Sequence, residues 1–350
     1  MAKANKTKKE PSGTTRTAKR KSAKTVGKPA KAGDAGAGKK PDEKTIAAEP
    51  KGFGLHLMDM IQNEGVVHTE LIARIEQLTK RNLVSYTSFF QHPAGIIDDH
   101  DPRMIETLLK SIDLTKYPGT LDLMINSPGG SPTAAEKIVL TCRAYAKSFR
   151  VIVPQTAMSA ATMVAMGADI ILFTPTSEIG PIDPQMVQRL PNGAVVVRSA
   201  KAHIDAYREL VGNTQAAIKS NEPPHPFIEL LRRIDPPWIQ ECLKARQLAE
   251  KIAVEFLSRW MLSGKTTKEV NETVQRFVEE GDQGSHGRAI RAEKAKDFGL
   301  AGVEVVEADG DLWMPIWELH ERCQRYVQSK GLAKYVAARN GGINVQAQAM

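Results

Sequence analysis

Short apolar runs and longer amphipathic segments alternate along most of this 350-residue chain. Residues 121–126 and 150–153 are short runs rich in apolar and branched side chains, a pattern typical of strands. Segments between such runs place apolar residues at steps of three and four, as in Leu71, Ile75 and Leu78, which predicts helices. Strands that alternate with helices in this way predict an α/β fold.

The same patterns predict the remaining elements and the breaks between them. The Pro-rich residues 220–237 predict an irregular linker, and the Gly-, Asn-, Gln- and Ala-rich last dozen residues predict a frayed end. The predicted strands cover residues 83–90, 121–126, 150–153, 170–173, 194–198 and 303–306, and the predicted helices cover residues 66–83, 104–112, 132–147, 159–167, 199–210, 238–262, 267–279, 292–298 and 311–329, with a turn at 281–287.

Two strand-to-helix turns carry residues suited to catalysis. The strand 121–126 leads to Gly129 and Gly130, which lack the Cβ that would keep backbone N–H groups away from a substrate carbonyl. The strand 150–153 leads to Ser159 before a small-residue helix, where free N–H groups favour a developing anion. Each feature also has an ordinary explanation, a helix N-cap for the serine and a simple turn for Pro-Gly-Gly. Their order along the chain favours a serine hydrolase.

Three motifs in this order resemble those of one protein family. They are Asn-Ser-Pro-Gly-Gly-Ser at 126–131, Ala-Met-Ser-Ala-Ala-Thr-Met at 157–163 and Gly-Pro-Ile-Asp-Pro-Gln at 180–185. Over about residues 55–308 the chain resembles the ClpP/crotonase superfamily, and within it the serine dehydrogenase proteinase family of Clp protease-like serine peptidases. The resemblance implies an α/β fold with a ClpP/crotonase-like spiral of repeated strand-strand-helix units and additional C-terminal helices.

The resemblance also assigns roles around Ser159, the expected nucleophile. It implies that the N–H groups of Gly130 and Ala160 hold the oxyanion, with Gly129 beside them. It does not carry over the whole Clp triad. The Clp histidine lies about 25 residues after the serine, and this chain has Pro-Ile-Asp-Pro at 181–184 in that place.

A serine hydroxyl needs a base to become a nucleophile, and two candidates remain open. Lys201 follows the serine at a distance that resembles the spacing in Ser-Lys peptidases of the stomatin-partner type. His286 precedes a segment that resembles the one after the triad aspartate of Clp proteases, and Asp183 would then orient it. A lysine base requires desolvation, which the small and apolar residues around Lys201 allow. His203 is a minor alternative, because two positions along a helix from Lys201 it would point elsewhere.

Neither a metal nor a cofactor is expected. The two His and three Asp of residues 92–101 match no metallopeptidase spacing, so a solvated loop is the preferred interpretation. The three cysteines, Cys142, Cys242 and Cys323, are far apart and odd in number, which indicates neither a disulfide framework nor a zinc site.

Positive charge is concentrated at the amino-terminal end. Residues 1–50 hold 14 Lys and Arg against 5 Asp and Glu, a net charge of +9, whereas the whole chain carries +8. This composition predicts a disordered tail, for which weak non-specific contact with nucleic acid and a solubilising role both remain open. Without a signal-peptide core or a run of about 20 apolar residues, we expect a soluble cytoplasmic protein with no membrane contact.

The leading hypothesis is an ATP-independent serine endopeptidase that hydrolyses peptides or unfolded proteins through an acyl-enzyme on Ser159. The alternatives are a crotonase-type acyl-CoA enzyme, which needs no serine at this turn, and a non-catalytic scaffold whose tail binds nucleic acid. The resemblance further implies a homo-oligomer. The expected organisation is a tail at 1–50, a peptidase domain at 51–310 with a helical cap or insertion at 220–280, and a C-terminal helix with a frayed end at 311–350.

Overall fold

A computed structural model of the chain describes residues 64–189, 195–280 and 289–347. The chain divides into units of residues 1–50 and 51–350, and every described residue belongs to the second unit. The predicted tail at 1–50, the predicted turn at 281–287 and the candidate base His286 lie outside the described residues.

Helices and strands alternate over most of the described chain, as the apolar pattern predicts. The helices are α1 (Glu64–Thr79), α2 (Asp101–Ser111), α3 (Pro132–Tyr145), α4 (Ala160–Met166), α5 (Ala200–Lys219), α6 (His225–Leu231), α7 (Pro236–Arg259), α8 (Thr267–Glu280), α9 (Ala292–Asp297) and α10 (Trp313–Ser329). The strands are β1 (Asn82–Ser88), β2 (Thr120–Asn126), β3 (Ser148–Val153), β4 (Thr156–Ala157), β5 (Ile170–Phe173), β6 (Glu178–Ile179), β7 (Gln185–Arg189), β8 (Val195–Ser199), β9 (Val303–Val305), β10 (Leu332–Ala338) and β11 (Gly341–Gln346).

Local sequence signals explain where several helices begin. Ser131 caps α3 by accepting a hydrogen bond from the Ala134 N–H, and a proline occupies the first helical position, where a missing N–H costs nothing. At the start of α8, the Thr266 Oγ1 accepts from the Glu269 N–H while Glu269 accepts from the Thr266 N–H. This reciprocal pair is a capping box, as the Thr-x-x-Glu spacing predicts.

A seven-stranded sheet with the order β11-β10-β1-β2-β3-β5-β9 forms the centre of the fold. Strands β1, β2, β3, β5 and β9 are parallel to one another. Strand β10 pairs antiparallel with β1, and β11 pairs antiparallel with β10. Because parallel strands end at the same edge, Ser88, Asn126, Val153 and Phe173 lie along one border of the sheet. The parallel-rich sheet with helices confirms the predicted α/β fold class.

Both faces of the sheet are covered by helices, so alternate residues of one strand enter different cores. In β2, Leu123 and Ile125 pack with residues of α2, α3 and α4 and of the later helices α7 and α8, whereas Met124 packs with residues of α1 and α10. The strand is therefore apolar on both faces, as expected for a central parallel strand. The loops after β2 and β3 are held by this rigid layer.

The frayed end predicted for the last dozen residues is wrong over residues 341–346, which form a strand; residues 348–350 lie outside the described residues. Leu332–Ala338 form β10, which is buried along its whole length, and Gly341–Gln346 add β11 at the edge of the sheet. The two residues between these strands are Arg339 and Asn340, and Ala338 pairs with Gly341 across the turn. Composition alone favoured a loop there, because residue types such as Gly and Asn also dominate unstructured ends.

The predicted linker 220–237 is also wrong in part, because it contains α6 (His225–Leu231). Pro226 lies in the first turn of this helix, where proline is tolerated. The preceding helix α5 runs to Lys219 rather than ending at residue 210. No residue of α6 is buried. Its apolar residues Phe227, Leu230 and Leu231 have helical spacing, but the prolines on either side favoured a linker.

Candidate active site

Ser159 lies in a backbone conformation that a serine rarely adopts. Its φ of 49° and ψ of −113° place it in the positive-φ region, immediately before α4. Such a conformation costs on the order of 1–3 kcal/mol and persists only where the surroundings impose it. Its side chain makes no capping hydrogen bond, and the hydroxyl has no hydrogen-bond partner within the described ranges. The ordinary N-cap explanation for Ser159 is therefore wrong.

Backbone hydrogen bonds join the serine turn to the loop after β2. The Ser127 N–H donates to the Thr156 carbonyl over 3.0 Å, and the Met158 N–H donates to the Ser127 carbonyl over 3.0 Å. These two bonds form a short parallel bridge between Ser127 and Ala157. The two turns singled out in the sequence are thereby fixed side by side.

Gly129 makes the closest approach to the serine turn. A Cβ on Gly129 would lie 2.9 Å from the Ser159 Cβ, 2.9 Å from the Ala160 nitrogen and 2.4 Å from the Met158 carbonyl oxygen. Its φ is 94°, so both the space and the backbone conformation require glycine.

Gly130 packs on its other side against Ile97. The Ile97 N–H donates to the Gly129 carbonyl over 2.7 Å, and the Ser131 N–H donates to the Ile97 carbonyl over 2.9 Å. Since neighbouring peptide groups in an extended segment point to opposite sides, the Gly130 N–H points away from Ile97. We call Gly129, Gly130 and Ser131 the glycine strand.

Two backbone N–H groups beside the serine are available to a ligand. Neither the Gly130 N–H nor the Ala160 N–H donates a hydrogen bond to any residue in the described part of the chain. Buried or half-buried N–H groups normally have partners, so two such donors near one strained serine form a site of the oxyanion type. The sequence assigned the oxyanion to the same two residues.

Thr162 is a site residue that sequence reasoning missed. Its buried Oγ1 lies 2.8 Å from the Ala157 carbonyl oxygen and 3.0 Å from that of Gly180, and it accepts a hydrogen bond from the Gly180 N–H over 3.0 Å. This hydroxyl joins the serine turn to the segment that carries Asp183. A threonine inside the otherwise apolar run Ala-Ala-Thr-Met was the available signal.

Asp183 and Lys201 follow the serine turn along a connected backbone path. The Gly180 N–H donates to the Ala157 carbonyl, and four residues later the Pro184 carbonyl accepts from the Ala200 N–H over 2.8 Å. Asp183 is buried, and Lys201 occupies the second position of α5. Asp183 and Lys201 are therefore both linked to the serine turn by backbone hydrogen bonds of residues 180–184.

Lys201 is oriented toward an acidic neighbour. Its Nζ forms an ion pair with Asp205 one turn along α5, and its side chain retains 21% of its exposure. An opposite charge favours the ammonium over the neutral amine that a base requires. The Ser159 hydroxyl makes no hydrogen bond to Lys201 in this conformation.

His203, the minor alternative, packs against an aromatic ring. Its ring meets Trp238 of α7 edge-on at 5.7 Å between centroids. Burial lowers the pKa of His203, and Arg198 lowers it further.

Residues 92–101 form a loop whose His and Asp residues are largely at the surface, as predicted, except at its last residue. Asp101 is fully buried and contacts Lys334 of β10, although Asp99 remains at the surface. Within the described ranges no three His, Cys, Asp or Glu side chains form a metal-binding group. None of the described helices is both long and apolar enough to cross a bilayer.

Comparison with known families gives a match in the same region. Residues 96–220 match the family described as ClpP-like SDH-type serine proteinase. The matched segment contains the glycine strand, Ser159, Asp183 and Lys201, and it confirms the resemblance seen in the sequence motifs.

The curated relatives are proteins of Methanocaldococcus jannaschii. The uncharacterized protein MJ1495 is 29% identical over 179 residues, which is 50% of this chain and 56% of the relative. The uncharacterized protein MJ0137 is 39% identical over 83 residues, which is 24% of this chain and 29% of the relative. The chain thus spans about half or less of the length of these relatives.

Solved structures with partial similarity include two proteases. A mutant of the 1510-N membrane-bound stomatin-specific protease is 14% identical, with a TM-score of 0.36 over 63% of this chain and 79% of the other. A mutant of ClpP1 from Listeria monocytogenes is 13% identical, with a TM-score of 0.34 over 67% and 97% of the two chains.

Proposed function

We propose that this chain, whose residues 96–220 match the ClpP-like SDH-type serine proteinase family, is a serine peptidase with Ser159 as its nucleophile. The observation that carries the proposal is the arrangement at the serine turn. A strained serine with an unpartnered hydroxyl lies against Gly129, and the Gly130 and Ala160 N–H groups have no acceptor in the described chain. A purely structural turn requires neither the strain nor the open donors.

The proposed reaction proceeds through an acyl-enzyme. The Ser159 Oγ attacks the peptide carbonyl carbon, and its proton passes to the base. The Gly130 and Ala160 N–H groups stabilise the negative oxygen of the tetrahedral intermediate. The intermediate collapses and releases the amine product after protonation, and water then hydrolyses the ester to regenerate Ser159.

Either Lys201 or His286 serves as the base in this proposal. The short path from Ser159 through residues 180–184 to α5 supports Lys201. The pairing of Lys201 with Asp205 means that the ammonium must first leave that carboxylate before it can reach Ser159. For His286, the buried Asp183 on the same path is the carboxylate that would orient an imidazole.

The substrate and assembly are part of the same proposal. We propose that the enzyme cleaves peptides or unfolded proteins without ATP, as a cytoplasmic homo-oligomer, and that the tail contacts nucleic acid only weakly. Assembly is supported by Val187 and Val197, which oppose each other in the β7–β8 pair and are 62% and 55% exposed. An exposed apolar pair on a two-stranded ribbon is a typical contact for a second copy.

A serine-directed probe tests the nucleophile. The full chain is treated with a fluorophosphonate, and the modified residue is mapped by mass spectrometry; we expect labelling at Ser159. The Ser159→Ala variant should fold and assemble as the wild type does while losing labelling and peptide hydrolysis, since only a hydroxyl is removed. Inertness of the wild type toward the probe would favour the acyl-CoA enzyme instead, and wild-type hydrolysis by Ser159→Ala would overturn the assignment.

A further inference from the structure

Lys334 carries a charge into the interior of the fold and lies outside the family-matched segment 96–220. It lies on β10 and is 1% exposed, between Leu332 and Val336, which are fully buried. A buried ammonium is costly unless it is paired and hydrogen-bonded. An apolar side chain at this position would avoid the cost of burying a charge. Filling space in the core therefore does not explain why residue 334 is a lysine.

Lys334 is bonded to Asp98 in the loop that precedes α2 and to Asp101, the first residue of α2. Its Nζ lies 2.7 Å from the Asp98 Oδ2 and 3.0 and 2.9 Å from the two carboxylate oxygens of Asp101. The Tyr86 hydroxyl and the Asp98 N–H both donate to the Asp101 Oδ2, over 3.0 and 2.7 Å. The ion pair therefore fixes both the side chain and the backbone of Asp98.

Ile97, the residue before Asp98, holds the glycine strand. Both of its backbone polar groups are bonded to that strand, through the Gly129 carbonyl and the Ser131 N–H. The contact is tight, because a Cβ on Gly130 would lie 2.3 Å from the Ile97 carbonyl oxygen and 2.5 Å from its nitrogen. Any movement of Ile97 must move Gly130 and turn its N–H group.

We propose that Lys334 is a positioning residue for the oxyanion site: through Asp98 and Asp101 it fixes Ile97, and Ile97 fixes the direction of the Gly130 N–H. The expected effect of Lys334 on catalysis rests on the proposed peptidase function. Its expected effect on the position of the glycine strand rests on the backbone contacts alone. A donor displaced by about 1 Å loses much of its stabilisation of the transition state, so the effect belongs to kcat rather than KM.

The test uses full-length variants and two independent measurements. Lys334→Met removes the ammonium but leaves two carboxylates without their counter-charge. A second variant, Lys334→Met with Asp101→Asn, therefore removes the fully buried carboxylate as well, so that the net charge of the cluster is unchanged and the carboxylate that remains, that of Asp98, is 40% exposed. The matched control is Arg339→Met, which breaks another buried ion pair near the same strand, that of Arg339 with Glu76 at 2.6 Å. The Arg339–Glu76 pair makes no contact with residues 96–101 in the described structure.

The first measurement is hydrolysis of fluorescein-labelled casein together with the rate of fluorophosphonate labelling at Ser159. We expect the double variant to lose about ten- to a hundredfold in kcat and in labelling rate, with KM little changed. The Arg339→Met control should keep the wild-type rates even if it unfolds at a lower temperature. Equal rates for the double variant and the control would overturn the proposal.

The second measurement is hydrogen exchange, which needs no activity. In the double variant, peptides covering 96–101 and 127–133 should exchange faster than in the wild type, and in Arg339→Met they should not. Measuring hydrogen exchange for the same variants in the Ser159→Ala background separates the proposed role of Lys334 from the proposed peptidase function. If Ser159→Ala hydrolyses casein normally, the peptidase assignment fails, while unchanged exchange at 96–101 and 127–133 would overturn the role of Lys334.

Discussion

Replacing Gly130 by alanine tests the oxyanion geometry most directly. Two penalties add at this position. The φ of 152° is one that side-chain-bearing residues rarely adopt, at a cost of about 1–3 kcal/mol. The new Cβ would also lie 2.3 Å from the Ile97 carbonyl oxygen, 1.1 Å short of the 3.4 Å at which ordinary contact begins. The obstructing atoms are backbone, so no side-chain rotation relieves the overlap and the glycine strand must move.

A shift of this size turns the Gly130 N–H away from the oxyanion. Loss of one oxyanion donor costs about a hundred- to a thousandfold in kcat, or about 2.7–4 kcal/mol of transition-state stabilisation. We therefore expect Gly130→Ala to lower kcat by that factor while KM changes little. The assay is steady-state hydrolysis of fluorescein-labelled casein, with urea unfolding measured on the same protein.

The matched control is Gly341→Ala. Gly341 has a φ of 138°, but no atom lies within 4 Å of an added Cβ, so this variant bears the backbone strain without the clash. It should lose stability by about 1–3 kcal/mol and keep the wild-type kcat. Equal kcat values for Gly130→Ala, Gly341→Ala and the wild type would refute the assignment of the Gly130 N–H to the oxyanion.

Three further predictions concern the base, acid stability and the tail. Lys201→Ala should abolish turnover if lysine is the base, and normal rates in Lys201→Ala beside an inactive His286→Ala would assign the base to His286. Burial lowers the pKa of His320 from 6.5 to about 4, so the unfolded state binds its proton first and stability should fall by about 2–3 kcal/mol between pH 6.5 and 4. Urea unfolding at several pH values should show a smaller loss in His320→Gln, and an identical loss would contradict this origin. A chain lacking residues 1–50 should hydrolyse casein at the wild-type rate, and a large loss would show that the tail takes part in catalysis.

The sequence predicted the site best where it depends on local chemistry. The Gly-Gly turn and the serine before a small-residue helix were identified from residue type and order, and the structure places Gly129 and Ser159 in contact. Both features are set by short segments that follow buried strands, so their positions along the chain predict their positions at the edge of the sheet. The strain at Ser159 could not be predicted, because it arises from the bridge between Ser127 and Ala157.

The sequence predicted least where distant segments meet. Lys334 and Asp98 are 236 residues apart, and their contact exists only because the C-terminal hairpin pairs with β1. The last predicted strand ended at residue 306 and the last dozen residues were predicted to be frayed, so the sequence offered no strand in which Lys334 could be buried. The error at Asp101 has the same cause, since its burial depends on that hairpin and not on the loop sequence.

The family-matched segment cannot form this site alone. Residues 96–220 include β2, β3 and β5 but not β1, which lies between β2 and β10 in the sheet. Without β1 and β10, one edge of β2 has unpaired backbone groups and Asp101 has neither Lys334 nor Tyr86 as a partner. Ile97 would then keep its bonds to the glycine strand but lose the group that fixes its own position. In the proposed mechanism the matched segment therefore supplies Ser159, Gly130 and Ala160, and strands outside that segment supply the partners of Asp101.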